Sequence, residues 1–112
     1  MSLEDNPSHR LGTLVSYLEQ HYREDIRIAD MCRMTNMSRA AFYREFSRIF
    51  RQSPQEYVDV VRIQHASMLL LKTDRPVSEI ALDCGFSDSN YFSRRFHQKT
   101  GFSPMDYRRR FR

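Results

Sequence analysis

The sequence predicts an all-α protein, and three observations carry that prediction. Apolar residues recur at helical spacing, as in Leu11, Leu14, Val15, Leu18 and Tyr22. The three glycines and four prolines fall mostly at the ends of such periodic stretches. No Asn-Gly hairpin signal and no alternating apolar run bounded by turns is present.

Taken in order, residues 1–8 read as a linker or cloning remnant, with Asp5-Asn6-Pro7 as its most linker-like part. A first helix is predicted over about 9–23, a short one over 28–35 and a longer one over 38–51. Asn36 falls where the short helix must end at positive φ, a conformation asparagine tolerates, and Ser38 is placed to cap the next helix. Ser53-Pro54-Gln55-Glu56 combines a capping box with proline in the first turn, and opens a long helix over 54–72. Thr73-Asp74-Arg75-Pro76 breaks the chain. A short helix over 77–84 then ends at Gly85, and a longer one over 88–100 is capped by Ser87 or Asp88 and closed by Gly101. Ser103-Pro104 opens the last helix.

The chain also repeats itself. When residues 38–57, SRAAFYREFSRIFRQSPQEY, are set beside residues 87–107, Phe42 matches Phe92, Arg44 matches Arg94 and Phe46 matches Phe96. Ser53-Pro54 matches Ser103-Pro104, Tyr57 matches Tyr107 and Asn36 matches Gly85. The second copy holds one extra residue after its turn. A short helix, a tight turn and a second amphipathic helix make a helix-turn-helix unit, here present twice.

In each copy the phenylalanines four apart mark the buried face of the second helix. Ala40, Tyr43, Arg44, Ser47 and Arg51 fall opposite Phe42, Phe46 and Ile49. Asn90, Ser93, Arg94 and His97 fall opposite Phe92 and Phe96, with Ser89 at the margin. These outward residues suit base edges: arginine bonds guanine O6 and N7, asparagine bonds adenine N6 and N7, and a small alanine permits close approach. Ser38, Arg39, Arg48, Ser87, Tyr91, Arg95 and Lys99 flank those faces and are placed for phosphate.

Charge agrees with that chemistry. The net charge is +4, and residues 86–112 alone carry +5, from seven basic and two acidic residues. Arg39, Arg44, Arg48 and Arg51 form a second basic group against Glu45. Two separated basic groups suggest a polyanionic partner.

On these residues the chain resembles the DNA-binding domain of the AraC/XylS family of bacterial transcriptional regulators. EIALDCGFSDSNYFSRRFHQKTGFSPMDYRRRF (79–111) looks like the family signature, and IADMCRMTNMSRAAFYREFSRIFRQSPQEYV (28–58) is a looser first copy. The resemblance covers about residues 9–112. It implies a seven-helix domain: one helix-turn-helix subdomain over about 9–53, a linker helix over about 54–72 and a second subdomain over about 73–112. It implies that the helices at 38–51 and 88–100 read adjacent major grooves of double-stranded DNA, with Ala40, Tyr43 and Arg44 as base readers of the first and Ser89, Asn90 and Arg94 of the second. Further implied are contact with RNA polymerase subunits, a cytoplasmic, nucleoid-associated location and an N-terminal sensor or dimerisation domain in the full-length protein. Geometry agrees independently: a linker helix of 19 residues spans ~28 Å, against ~34 Å between successive major-groove faces.

Other classes have less behind them. His9, His21, His65 and His97 form no metal-ligand pattern, Cys32 and Cys84 read as reduced core thiols, and no base is spaced to activate a nucleophile, so no cofactor, metal or enzymatic activity is expected. Met31, Met34, Met37 and Met68 are expected as core filler, and Val58, Val61, Met68 and Leu71 as the inward side of the linker helix. No apolar run approaches the length of a bilayer, so no membrane partner is expected. A helical module that docks an acidic protein with the same outward faces remains the alternative.

Overall fold

A computed structural model of the chain describes residues 6–112. Seven helices make up those residues, with no strand among them: α1 (Pro7–His21), α2 (Ile28–Thr35), α3 (Arg39–Phe50), α4 (Pro54–Lys72), α5 (Val77–Asp83), α6 (Ser89–Thr100) and α7 (Pro104–Phe111). The helix starting at Pro7 takes Pro7 and Ser8 out of the expected linker, because Asn6 acts as N-cap: its side chain accepts the Ser8 N–H at 2.8 Å. Residues 1–5 of that linker lie outside the described residues.

The chain divides into two compact units, one running through Val58 and the other from Asp59 to Arg112. The division falls inside α4, so this one helix supplies its first residues to one unit and the rest to the other.

In the first unit, Leu11, Leu14 and Leu18 of α1, Met31 of α2, Phe42 and Phe46 of α3 and Val58 of α4 form the core. Phe46 lies 5.7 Å from Phe42 and 5.7 Å from Tyr57, the latter edge-on at 84°. Burying each such side chain contributes ~1.5–3 kcal/mol. In the second unit, Ile80, Ala81, Cys84, Phe86, Phe92 and Phe96 are buried, and Phe96 meets Tyr107 edge-on at 85° and 5.2 Å. The repeat seen in the sequence thus recurs as the same ring geometry.

Two expectations about the interior change. The buried side of α4 is Val58, Val61, Ile63, Ala66 and Leu70, whereas Met68 is 50% exposed and Leu71 only half-buried. The sequence is apolar at every position from 68 to 71, so periodicity there could not single out a face. Likewise Met31 is fully buried but Met34 is 46% exposed. On the short α2 the inward positions are taken by Met31 and Thr35, whose hydroxyl donates to the Met31 carbonyl at 2.8 Å.

A candidate nucleic-acid interface built twice

Each unit presents its second helix through the same turn. In the first, the Asn36 N–H bonds the Arg33 carbonyl at 3.2 Å and the Met37 N–H bonds the Cys32 carbonyl at 3.1 Å, with Asn36 at φ 54°. In the second, the Gly85 N–H bonds the Leu82 carbonyl at 3.1 Å and the Phe86 N–H bonds the Ala81 carbonyl at 3.0 Å, with Gly85 at φ 102°. Both are Schellman closures, which satisfy the last carbonyls of the short helix and reverse the chain at one left-handed residue. The following helix starts at once. Ser38 accepts the Ala41 N–H at 3.2 Å, and Asp88, not Ser87, accepts the Asn90 N–H at 2.8 Å.

The first turn is further clamped by Arg10 of α1, whose Nη1 donates to the carbonyls of Thr35 at 3.0 Å and Asn36 at 3.4 Å. In the second unit Arg108 of α7 does comparable work elsewhere. Its Nε donates to the Leu70 carbonyl at 2.9 Å and its Nη2 to the Arg75 carbonyl at 2.8 Å, tying the end of α4 to the segment before α5. Neither role is visible in sequence, where both read as ordinary surface arginines.

The outward faces are formed as the spacing requires. On α3, Arg39, Ala40, Tyr43, Arg44, Ser47 and Arg48 are exposed, and the Tyr43 ring leans edge-on against Phe42 at 6.0 Å. Arg48 pairs with Glu45 at 2.8 Å, and Arg44 reaches the same carboxylate only at 3.9 Å. Both arginines stay mostly exposed, so these pairs are weak and leave them available. On α6, Asn90 and Arg94 are exposed and Ser89 and Ser93 half-buried, and Ser93, Arg94, His97 and Gln98 line one open hollow with Ser103. Ser38, Ser87 and Lys99 are exposed beside these faces.

Two of the expected phosphate ligands, Tyr91 and Arg95, also hold bonds inside the second unit. The Tyr91 hydroxyl donates to Asp59 Oδ2 at 2.6 Å, and Arg95 Nε donates to the same oxygen at 3.1 Å. Asp59 is 1% exposed and Arg95 19% at the side chain. Burial, with the bond to Asp59 second, pushes the Tyr91 phenol above its ordinary value. To donate to a phosphate the Tyr91 hydroxyl would have to abandon a buried carboxylate, a costly step, whereas Arg95 spends only its Nε on Asp59. Asp59 itself was legible as an oddity: a lone carboxylate in the apolar run Val58-Asp59-Val60-Val61.

Among the described residues no group of histidine, cysteine, aspartate and glutamate could hold a metal, and no helix is long and apolar enough to cross a membrane.

A model of the helix-turn-helix domain family matches residues 31–110. Over 104 residues the chain is 33% identical to the HTH-type transcriptional activator RhaS of Shigella boydii serotype 18, covering 93% of this chain. It superposes on a probable AraC family transcriptional regulator from Rhodopseudomonas palustris with a TM-score of 0.80 and 31% identity, over 88% of this chain and 93% of that one. The chain belongs to the AraC/XylS family. The chain is also similar to the DNA-binding domain of AdpA, a global transcriptional factor solved in complex with a target DNA: TM-score 0.87, 28% identity, 92% of this chain and 93% of that one. The chain spans only 37% of the length of the RhaS relative. The seven described helices agree with the architecture of these AraC-type domains, two helix-turn-helix units and a long helix between them.

Proposed function

We propose that this chain is the sequence-specific, double-stranded DNA-binding part of a bacterial transcription regulator, with α3 and α6 entering adjacent major grooves. One observation carries the reading: two exposed faces, each with an arginine at the matching position (Arg44 and Arg94), are held by the same Schellman turn and the same pair of buried phenylalanines. A solvated helix face needs no such duplicated support. In this reading Ala40, Tyr43 and Arg44 contact bases from α3, and Ser89, Asn90, Ser93 and Arg94 from α6. Ser38, Arg39, Arg48, Ser87 and Lys99 hold phosphates and fix register. The AdpA complex supports DNA as the ligand class, and the activator named among the relatives supports regulation of transcription. RNA polymerase subunits and a separate sensor or dimerisation domain are the further partners proposed, and the bacterial cytoplasm is the proposed location.

The deciding experiment is selection of the 112-residue chain on a randomised duplex library, followed by anisotropy titration of the enriched sites at moderate salt. Enrichment of a defined site is expected. Equal affinity for enriched and scrambled duplexes would overturn the reading in favour of charge-driven binding.

A further inference from the structure

The interior of the second unit contains one polar arrangement that base reading alone does not account for. Asp59 of α4 is buried to 1% exposure in an otherwise apolar stretch. A carboxylate there is costly unless its charge is compensated and its lone pairs are used. Two donors to one of its oxygens, Tyr91 and Arg95, come from a single helix, α6. They sit four residues apart, so they lie one turn apart along the side of α6. Arg95 then continues along the helix through Nη1 to Gln98 Oε1 at 2.6 Å. The residues they flank are the outward ones: Asn90 precedes Tyr91, and Ser93 and Arg94 lie between the two anchors.

The phenylalanines cannot supply the same constraint. Phe92 and Phe96 bury α6, but apolar contact is non-directional and tolerates a small roll or slide of a helix. Two hydrogen bonds to one fixed oxygen have narrow distance and angle requirements. Together they fix both the roll of α6 about its axis and its position along it. In the first unit the repeat places Glu45, which pairs outward with Arg48, where α6 has Arg95.

We infer that Asp59 is a positioning residue for DNA reading by α6: through Tyr91 and Arg95 it sets the rotation and register at which Asn90 and Arg94 meet the bases. The inference rests on the proposed DNA-binding function. It separates two arginines adjacent in sequence, Arg94 reading outward and Arg95 orienting from behind. A bidentate base contact discriminates because both bonds must align at once, so a small roll of α6 removes discrimination while leaving phosphate attraction largely in place.

The test compares base-by-base specificity profiles of the 112-residue chain and its variants on the selected site. Arg94→Ala identifies the positions read by α6, and Arg44→Ala those read by α3. Asp59→Asn keeps the side-chain shape but removes the charge. It is expected to relax specificity, by about tenfold at a discriminating base, at the positions that Arg94→Ala relaxes and to leave the Arg44 positions intact. Tyr91→Phe removes one bond only and is expected to give a smaller loss at the same positions. It carries the test if Asp59→Asn does not fold by circular dichroism. A merely structural role would lower affinity at all positions in proportion, with an unchanged profile, and that result in the folded variants would overturn the inference. If the unsubstituted chain shows no base preference at all, the DNA-reading function fails first and this inference with it. A wild-type preference left unchanged in both variants rejects the positioning role alone.

Discussion

At the scale of single residues, what separates function from support is where a side chain's donors are already committed. Arg94 and Arg95 are neighbours with the same chemistry, yet Arg95 bonds a buried carboxylate while Arg94 is exposed and enters no ion pair among the described residues. Arg44 resembles Arg94, since its nearest acid, Glu45, lies at 3.9 Å and 69% of its side chain is exposed. Arg44→Ala and Arg94→Ala should therefore each cost ~1–3 kcal/mol on the selected site and relax preference at the base each one reads. Melting temperature should hardly change, because neither side chain is buried. Competition titrations with single-base variants measure the loss directly; a uniform loss over all variants would reassign that arginine to phosphate.

At the scale of elements, the two copies solve one problem with different residues, and the difference has an energetic consequence. Both long helices end on a left-handed residue that bonds back four positions: Arg51 at φ 59° to the Ser47 carbonyl, and Gly101 at φ 83° to the His97 carbonyl. A side chain in that conformation is strained by ~1 kcal/mol or more, and glycine is not. Arg51→Gly should thus stabilise the chain by ~0.5–1 kcal/mol, after allowing for glycine's larger unfolded-state entropy. A Cβ added at Gly101 would meet nothing within 4 Å, so Gly101→Ala tests the backbone term alone and should destabilise by about 1 kcal/mol. Urea unfolding of both variants measures the pair, and changes of the same sign would refute the strain account. This pairing also shows what sequence could convey. Helix ends were legible because caps and turns are short-range chemistry: Ile28–Thr35 and Pro54–Lys72 fall where the residues place them. The repeat aligned Arg51 with Gly101 and so held the clue to its left-handed backbone. The outward positions of Arg44, Asn90 and Arg94 followed from the spacing of the phenylalanines. What could not be read was long-range. The bond from Asp59 to Tyr91 and Arg95 spans more than thirty residues, as does the hold of Arg108 on Leu70, and periodicity carries no information about such pairs.

At the scale of the whole molecule, the hydrogen bonds redraw the charge map. By sequence the basic weight lies in residues 86–112, with +5. Within that segment, however, Arg95 bonds the buried Asp59 and Arg108 bonds two backbone carbonyls, while Arg109 and Arg112 make exposed pairs with Asp106 and Asp74, weak like that of Arg48 with Glu45. The carboxyls of Asp74 and Asp106 are held below the usual carboxylate range, chiefly by hydrogen bonds from Arg112 and Arg109 respectively, so both remain charged partners at neutral pH. The exposed cations on a proposed reading helix are instead concentrated on α3 and its cap: Arg39, Arg44, Arg48 and Arg51. Non-specific attraction to DNA depends on how many phosphates are neutralised, because each contact releases condensed counterions, and not on formal net charge. The first unit should accordingly supply more of the salt-dependent affinity than its near-neutral composition suggests. Arg39→Ala and Arg48→Ala are each expected to flatten the plot of log affinity against log salt by a slope of about 1, alike for specific and scrambled duplexes. Arg108→Ala removes the same formal charge but cuts internal bonds. It should lower the unfolding midpoint and leave the salt slope of the folded chain nearly unchanged. Titrations across a range of salt concentrations, run beside thermal melts, separate the two behaviours. If Arg108→Ala flattened the slope as much as Arg48→Ala, DNA contact would follow formal charge, and the internal commitment of Arg108 would not decide which arginines meet the backbone.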